Sequence, residues 1–408
     1  MSETITTQCC IAGGGPAGMM LGYLLARAGV DVVVLEKHGD FLRDFRGDTV
    51  HPSTLELMHE AGLLQEFLGR PHQEVRELGI EFGNETIPIG DFTHLPTRCK
   101  FVALMPQWDF LDFLAGHARR YPGFHLRMQA EVTDLVWAEK RVTGVRGKAP
   151  GKEFEVRAPL TVGADGRHST VRKCAGLEVM NLGAPMDVLW MRLSRKPDDP
   201  QPTFGRVDAG KLMVMLNRET YWQCAFVIPK GGFERLRQNG LPAFREQIAA
   251  FSPLLRDRVN ELRDWKDVSL LTVAVDRLKQ WFLPDLLCIG DAAHAMSPIG
   301  GVGINLAIQD AVAAANLLAG KLATGAVTED DLRAVQTRRM FPTRATQWLQ
   351  IVAQNRIIKR VLDTTGPMTP PWPLKLLRRW PRLRRILPRI VGVGFRPEHI
   401  RTPEMTSS

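Results

Sequence analysis

A chain of 408 residues, 44% hydrophobic and 24% charged, has ordinary globular composition and the length for two or three structural units sharing large cores. Its six cysteines, Cys9, Cys10, Cys99, Cys174, Cys224 and Cys288, never fall in a CxxC spacing, which argues against zinc ribbons and redox dithiols and suits a reducing cytoplasm. The N-terminus, MSETITTQCC, has no basic segment ahead of an apolar run, and no stretch of about 18 uninterrupted apolar residues exists, so neither a secretory leader nor a spanning helix is expected.

The first predicted element is a strand from Gln8 to Ala12, followed by a glycine turn and an apolar helix near residues 16–28. A second apolar run, Val32 to Leu35, ends at Glu36, so the chain opens as a βαβ unit with a parallel sheet. Leu55, Met58, Leu63 and Phe67 share a face and predict one helix over 53–68; another starts near Trp108 and carries Phe110, Leu111 and Leu114. A strand near 159–163 runs into Ala164, Asp165 and Gly166. From about 185 to 280 the pattern changes to short alternating runs, such as 187–194, 211–217 and 221–228, which predict antiparallel strands. Near 285 it reverts to a buried strand from Leu286 to Ile289, a glycine turn and a long helix to about 320. The chain therefore leaves a nucleotide domain, builds a sheet layer and returns. The proline-rich stretch 365–373 predicts a linker.

Three segments carry chemistry. Gly13-Gly14-Gly15-Pro16-Ala17-Gly18 has the GxGxxG spacing between a strand and a helix. In that setting Gly13 permits the tight turn, Gly15 lets backbone approach a pyrophosphate, and Gly18 lets helix pack on strand. The helix N-terminus offers N–H groups and a positive dipole end to phosphates, and Glu36 can accept ribose hydroxyls. The second segment, Gly163 to Arg172 (GADGRHSTVR), read alone is a turn with a serine cap. In the third, Gly290 to Asn305 (GDAAHAMSPIGGVGIN), Asp291 sits where a strand ends and can hold a sugar or ribityl hydroxyl. The loop 298–303 can bring N–H groups and a helix dipole to the negative charge of a reduced flavin. His294 reads as a packing or hydrogen-bonding group rather than a base.

In this order the three segments resemble the class A FAD-dependent monooxygenases, the family that includes para-hydroxybenzoate hydroxylase and the ubiquinone-biosynthesis hydroxylases. Residues 46–63 (RGDTVHPSTLELMHEAGL) and Pro106-Gln107-Trp108 extend the likeness, which spans roughly residues 8–345. The resemblance implies an α/β fold: a Rossmann-like FAD-binding domain with an interleaved antiparallel-sheet substrate domain and a C-terminal helical segment. The boundaries expected are 1–180 and 281–345 for the FAD domain, 181–280 for the sheet and 346–408 for the C-terminal segment. It further implies that Gly13, Gly15, Pro16, Ala17, Gly18 and Glu36 hold the ADP part of FAD. Arg46, with Arg43 as a rival, and Gln107 would contact the cofactor. Asp165 and Gly166 would support FAD and the approach of NAD(P)H, and Asp291 would bind the ribityl–pyrophosphate region. Pro298, Gly300, Gly301, Gly303 and Asn305 would lie against the isoalloxazine ring.

The implied reaction uses NAD(P)H and O2, and delivers one oxygen atom from a flavin C4a-hydroperoxide to an aromatic or polycyclic, lipophilic substrate. No residue is assigned as catalytic acid or base. Trp190, Met213, Met215, Trp222, Cys224 and Phe226 alternate along the middle strands as candidate pocket residues, and the same pattern serves equally as core against a helix. An epoxidase, a Baeyer–Villiger oxygenase or a prenyl reductase of the same fold remains open. A non-enzymatic carrier of the fold is opposed by the intact glycine turn, Glu36 and Asp291. The sequence has no second GxGxxG for a separate nicotinamide domain and no Trp-x-Trp-x-Ile-Pro of flavin halogenases.

Of the net charge of +9, residues 372–408 supply +7, with nine Lys/Arg and two Glu. Leu374, Leu377, Trp380, Leu383, Leu387 and Ile390 recur every three or four residues, with Arg378, Arg382, Arg385 and Arg389 on another face. This reads as an amphipathic basic helix broken by Pro381 and Pro388, able to touch an anionic membrane or to dock on its own domain. With a nearly neutral body, nucleic acid is not an expected partner. The expected setting is the cytoplasm, with peripheral contact at the inner face of the membrane; the oligomeric state is left open.

Overall fold

The computed structural model describes residues 3–42, 49–83, 85–200, 202–208, 210–366 and 368–405. The strand Cys9–Ala12 is apolar and wholly buried, which places it inside a sheet covered on both faces. It pairs in parallel with Val32–Leu35 on one side and Leu160–Gly163 on the other. Phe124–Arg127 and Leu286–Cys288 extend this sheet outward, and a short antiparallel strand, Phe282–Leu283, closes one edge. The helices Pro16–Arg27 and Gly303–Ala323 pack on each other within the same core. The second is apolar and long enough to cross a bilayer, yet 78% of its most apolar window is buried, so it is a core helix of this domain. A four-stranded sheet, in the order Glu3–Thr6, Lys152–Arg157, Arg141–Ala149 and Glu131–Ala138, lies beside it.

The segment 53–68 forms two helices, Pro52–Glu60 and Leu64–Leu68, rather than one. Gly62 takes φ +75° and Leu63 N donates to Met58 O at 2.8 Å, a C-terminal cap that ends the first helix. The apolar positions continue at helical spacing across this break, so periodicity alone does not reveal it.

The middle sheet has seven strands in the order Val268–Leu271, Met186–Ser194, Tyr221–Pro229, Lys211–Asn217, Phe204–Asp208, Glu77–Phe82 and Glu85–Asp91. The last two come from the region assigned to the nucleotide domain, so the segment 1–180 contributes strands to both units. Phe204–Asp208 pairs with Glu77–Phe82 in parallel, the one such pair in this sheet among the described residues. One face carries Leu189, Met191, Met213, Met215, Trp222, Cys224 and Phe226 against Phe244, Ile248 and Phe251 of the helix Leu241–Phe251. The opposite face carries Val188, Trp190, Leu212, Val214, Ala225 and Val227, packed with Ile299, Ile358 and Leu362.

The helix Glu329–Ala353 continues through a π-helical turn, Gln354–Ile358, into Lys359–Asp363. The expected linker runs into the helix Trp372–Arg379, and Pro381 starts a 3-10 turn, Pro381–Arg385. The last segment returns over the nucleotide domain. Arg27 Nη1 donates to Thr402 O at 3.1 Å and Arg27 Nη2 to Glu404 Oε2 at 3.1 Å, while Tyr121 Oη donates to Glu404 Oε1 at 2.8 Å.

Candidate functional site

The first glycine turn separates packing from binding. A Cβ on Gly13, whose φ is +110°, would lie 2.3 Å from Ala164 O, and one on Gly18 would lie 1.9 Å from Gly13 O. Both positions are closed to side chains by the protein itself. At Gly15 a Cβ would meet nothing within 4 Å. This open cradle is the N-cap of Pro16–Arg27, a helix with no side-chain cap and no acid in its first turn. Its first N–H groups are therefore left for an external anion, as a pyrophosphate requires. Pro16 opens the helix, where its missing N–H costs nothing, and Ala17 is buried behind it. Glu36 is buried at the end of the neighbouring strand, with Oε2 accepting from Gly14 N at 3.0 Å and Oε1 from His38 N at 3.0 Å. The residues present fit the ADP portion of FAD.

The second and third segments meet beside this turn. Asp165 accepts from Ser169 Oγ at 2.5 Å and Val171 N at 3.1 Å, and burial pushes its carboxyl up despite those bonds. Ser169 caps the helix Thr170–Cys174. Gly166 has φ +84° and open space around its Cβ position. Arg167, on the same turn, brings Nη2 to 3.7 Å from Asp291 Oδ2, so the two segments share an ion pair. Gln107 is the first residue of the helix Gln107–Ala118 and is partly exposed. Arg46 and its rival Arg43 lie outside the described residues.

In the loop 297–303, Gly300 (φ +76°) and Gly301 (φ +62°) adopt left-handed conformations, and a Cβ on Gly301 would lie 2.4 Å from Thr49 Oγ1. Pro298 precedes them, and Gly303 begins the long helix. Asn305 is buried, and its polar atoms fasten the loop to a neighbouring segment. Its Oδ1 accepts from His51 N at 3.0 Å and Thr54 Oγ1 at 2.6 Å, while Nδ2 donates to Thr49 O at 3.3 Å and Gly301 O at 3.4 Å. The His51 ring nitrogen Nδ1 lies 2.7 Å from Val391 O, and burial pulls its pKa down to about 4.

Sequence reasoning missed the second side of this fastening. Gln347, Gln350 and Gln354 project from one face of the helix that continues into the π turn, and all three are buried. Gln350 accepts from Ser297 N at 3.1 Å and donates to Ser297 O at 2.9 Å and Ile299 O at 3.0 Å. Gln354 donates to Ser297 Oγ at 2.7 Å, and Gln347 to Ala295 O at 3.2 Å and Asp276 O at 2.7 Å. Their i, i+3, i+7 spacing was available as a signal. Also missed was Asp310, fully buried, which accepts from Arg339 Nε at 2.9 Å and Gly290 N at 3.1 Å and pairs with His294 Nε2 at 2.5 Å. Burial opposes ionisation of Asp310, but His294 and Arg339 hold its carboxyl below the usual range. His294 is thereby a hydrogen-bonding group of the core.

Five of the six candidate pocket residues occupy a different place from the sixth. Met213, Met215, Trp222, Cys224 and Phe226 are buried between sheet and helix, whereas Trp190 stands on the opposite face with Leu212, Val214 and Ala225. The register explains the division. Trp190 pairs with Ala225, which pairs with Val214, while Met191, Cys224 and Met215 form the adjacent row. Successive residues point to opposite faces, so a phase shift of one exchanges the face packed on the helix Leu241–Phe251 for the face packed with Ile299 and Ile358.

Residues 6–349 match the FAD binding domain family. The chain is 33% identical over 389 residues to the 6-methylpretetramide 4-monooxygenase of Streptomyces rimosus, covering 94% of this chain and 92% of that protein. It is 29% identical to the rifampicin monooxygenase of Streptomyces venezuelae, but spans only 61% of that longer protein's length. The solved structure of the Streptomyces rimosus anhydrotetracycline hydroxylase superposes with a TM-score of 0.74 at 23% identity, over 95% of this chain and 76% of the other.

Proposed function

As a member of the FAD binding domain family of class A monooxygenases, to which this chain belongs, the protein is an FAD-dependent monooxygenase using NAD(P)H and O2, and we propose that it hydroxylates a ring carbon of a fused-ring aromatic substrate. The observation that carries this reading is a shared apolar wall. Ile299, in the loop that the family resemblance lays against the isoalloxazine ring, packs on the same cluster of Val188, Ala225 and Ile358 as Trp190, Leu212 and Val214 do. A broad apolar face joined to the cofactor loop suits a flat polycyclic molecule. The indole N–H of Trp190 is buried with no acceptor among the described residues, which leaves one donor for a phenol or ketone oxygen. The similarity to 6-methylpretetramide 4-monooxygenase over nearly the full length of both proteins supports the same substrate class.

When bound, FAD supplies electron transfer from NAD(P)H to O2 and the oxidising chemistry. The turn at Gly15 and the carboxylate of Glu36 would hold its ADP end, and the Arg167–Asp291 ion pair joins the second and third segments. The wall of Val188, Trp190, Leu212 and Val214 excludes water from the substrate, and Trp190 orients it. The enzyme works in the cytoplasm, where reduced nicotinamide is available, and six unpaired cysteines suit that compartment.

Turnover of a fused-ring phenol under oxygen-18 gas is expected to place one labelled atom in the product and the other in water. Product oxygen drawn only from water, or hydrogen peroxide formed with every substrate consumed, would defeat the proposal. Trp190→Phe keeps the wall and removes the donor, so KM should rise about tenfold with FAD content unchanged. An unchanged KM removes Trp190 from substrate orientation.

A further inference from the structure

The C-terminal surface is more basic than its tail alone indicates. Residues 332–390 hold fourteen Lys/Arg and one Asp, a net +13 in a chain whose total is +9, so the remainder is net acidic. Among the described residues, more than half of the exposed large hydrophobic side chains also fall between 341 and 387. Apolar exposure and positive charge are thus concentrated on one stretch of the chain.

The helix Trp372–Arg379 shows how both arise. Its inner side is spent: Leu374 packs against the cluster of Phe82, Ile87 and Val361, and Arg378 donates to Glu85 at 2.6 Å. Farther on, buried Pro388 lies against Gly90. The tail is therefore docked along the edge strand Glu85–Asp91 by one apolar side. A second apolar stripe faces solvent at i, i+4 and i+8: Trp372, Leu376 and Trp380 are 76%, 38% and 58% exposed. Ile386 and Leu387 add exposed apolar surface beyond it. The side chains of Lys375, Arg379, Arg382, Arg385 and Arg389 are exposed and make no hydrogen bond or ion pair among the described residues. The sequence pattern alone assigned Trp380 and Leu387 to the same side as Leu374; in the structure they project outward instead.

We propose that this outward stripe is a peripheral membrane-docking surface for anionic phospholipid. A row of tryptophan and leucine bordered by unpaired arginine and lysine matches a bilayer interface, where the apolar rings enter the headgroup boundary and the cations meet lipid phosphate. An acidic protein would satisfy the charges but give the exposed indoles no apolar medium. Docking would hold the enzyme beside a lipophilic substrate pool without any segment crossing the membrane.

Full-length holoenzyme is mixed with sedimenting vesicles of phosphatidylglycerol and phosphatidylcholine in equal parts, or of phosphatidylcholine alone. Binding is expected only with the anionic lipid, and to weaken about tenfold or more as salt is raised. The pair Trp372→Ser and Trp380→Ser should lower binding about tenfold while leaving the salt dependence in place. The set Lys375→Gln, Arg379→Gln, Arg382→Gln and Arg385→Gln should abolish the preference for anionic lipid. Both variants should retain FAD content and NAD(P)H oxidation. Holoenzyme that ignores anionic vesicles at low salt overturns the proposal. So does equal capture by soluble polyglutamate with no effect of the tryptophan changes, which would identify an acidic polypeptide as the partner.

Discussion

The two glycine-rich turns at the cofactor site are held in opposite ways. At the turn 13–18 the position that packs helix on strand is closed from within: the backbone atoms nearest a side chain at Gly18 belong to Gly13, five residues away, although Gly13 itself abuts Ala164. The loop at 297–303 is held from outside, by Thr49 and Asn305 on one side and by Gln350 and Gln354 on the other. A motif whose determinants are local can be read from spacing. One whose determinants are remote can be placed by resemblance, but its stability belongs to residues outside it.

That contrast can be broken by substitution. The largest effect is expected at Gly18→Val, where the added side chain meets backbone that cannot yield; the protein should fail to fold or lose about 4 kcal/mol or more. Gly15→Val, three residues earlier, should remove FAD while leaving the apoprotein's thermal transition nearly unchanged. Equal losses of stability in the two variants, read by calorimetry beside flavin content, would erase the distinction between packing and binding glycines.

Arg339→Met comes next. It strips a fully buried carboxylate of a cation and should cost about 3–5 kcal/mol in urea unfolding, although residue 339 lies far outside all three motifs. A cost below about 1 kcal/mol would show that the loop beginning at Gly290 does not depend on remote charge.

His51 gives the contrast a pH signature. Burial lowers its folded pKa from 6.5 to about 4, so the unfolded chain binds the extra proton first. Its contribution is fully present above about pH 6.5 and is lost as pH falls toward 4, amounting to about 3 kcal/mol. Urea unfolding across this interval should show the decline, and His51→Gln should flatten it. The smallest effect, about 1–3 kcal/mol, is expected for Gln350→Ala, which leaves Ser297 and Ile299 backbone groups unpaired. Flavin affinity should fall with it, whereas an unaffected affinity would mean that the loop reaches its shape without the clamp.

The parallel sheet was legible because Val32 to Leu35 and Leu286 to Cys288 are short, wholly apolar runs beside glycine turns. The helix at Gly303 was legible as a long, mostly apolar run after a glycine turn. Less could be read where alternation leaves the phase free: Trp190 and Met213 look alike in a period-two pattern, and only pairing through Tyr221–Pro229 separates them. Strands 77–82 and 85–91 escaped assignment to the middle sheet because the first joins it through Phe204–Asp208, more than a hundred residues later, and the second only through the first. Gln347, Gln350 and Gln354 share a helix face at i, i+3 and i+7, but that spacing alone does not mark a site because glutamines on a helix are ordinarily solvated.

The returning segment near residue 400 bears on how the protein is made. Arg27 lies on the helix Pro16–Arg27, yet its guanidinium finds Thr402 and Glu404 only across some 375 residues of chain, and Arg339, already paired with Asp310, gains Glu398 as a second carboxylate. During translation Arg27 therefore stays without these partners until the residues near 400 have emerged from the ribosome. A message truncated near codon 370 would yield a chain whose first nucleotide-domain helix lacks these late contacts, and such a chain offers quality-control proteases a more easily opened target.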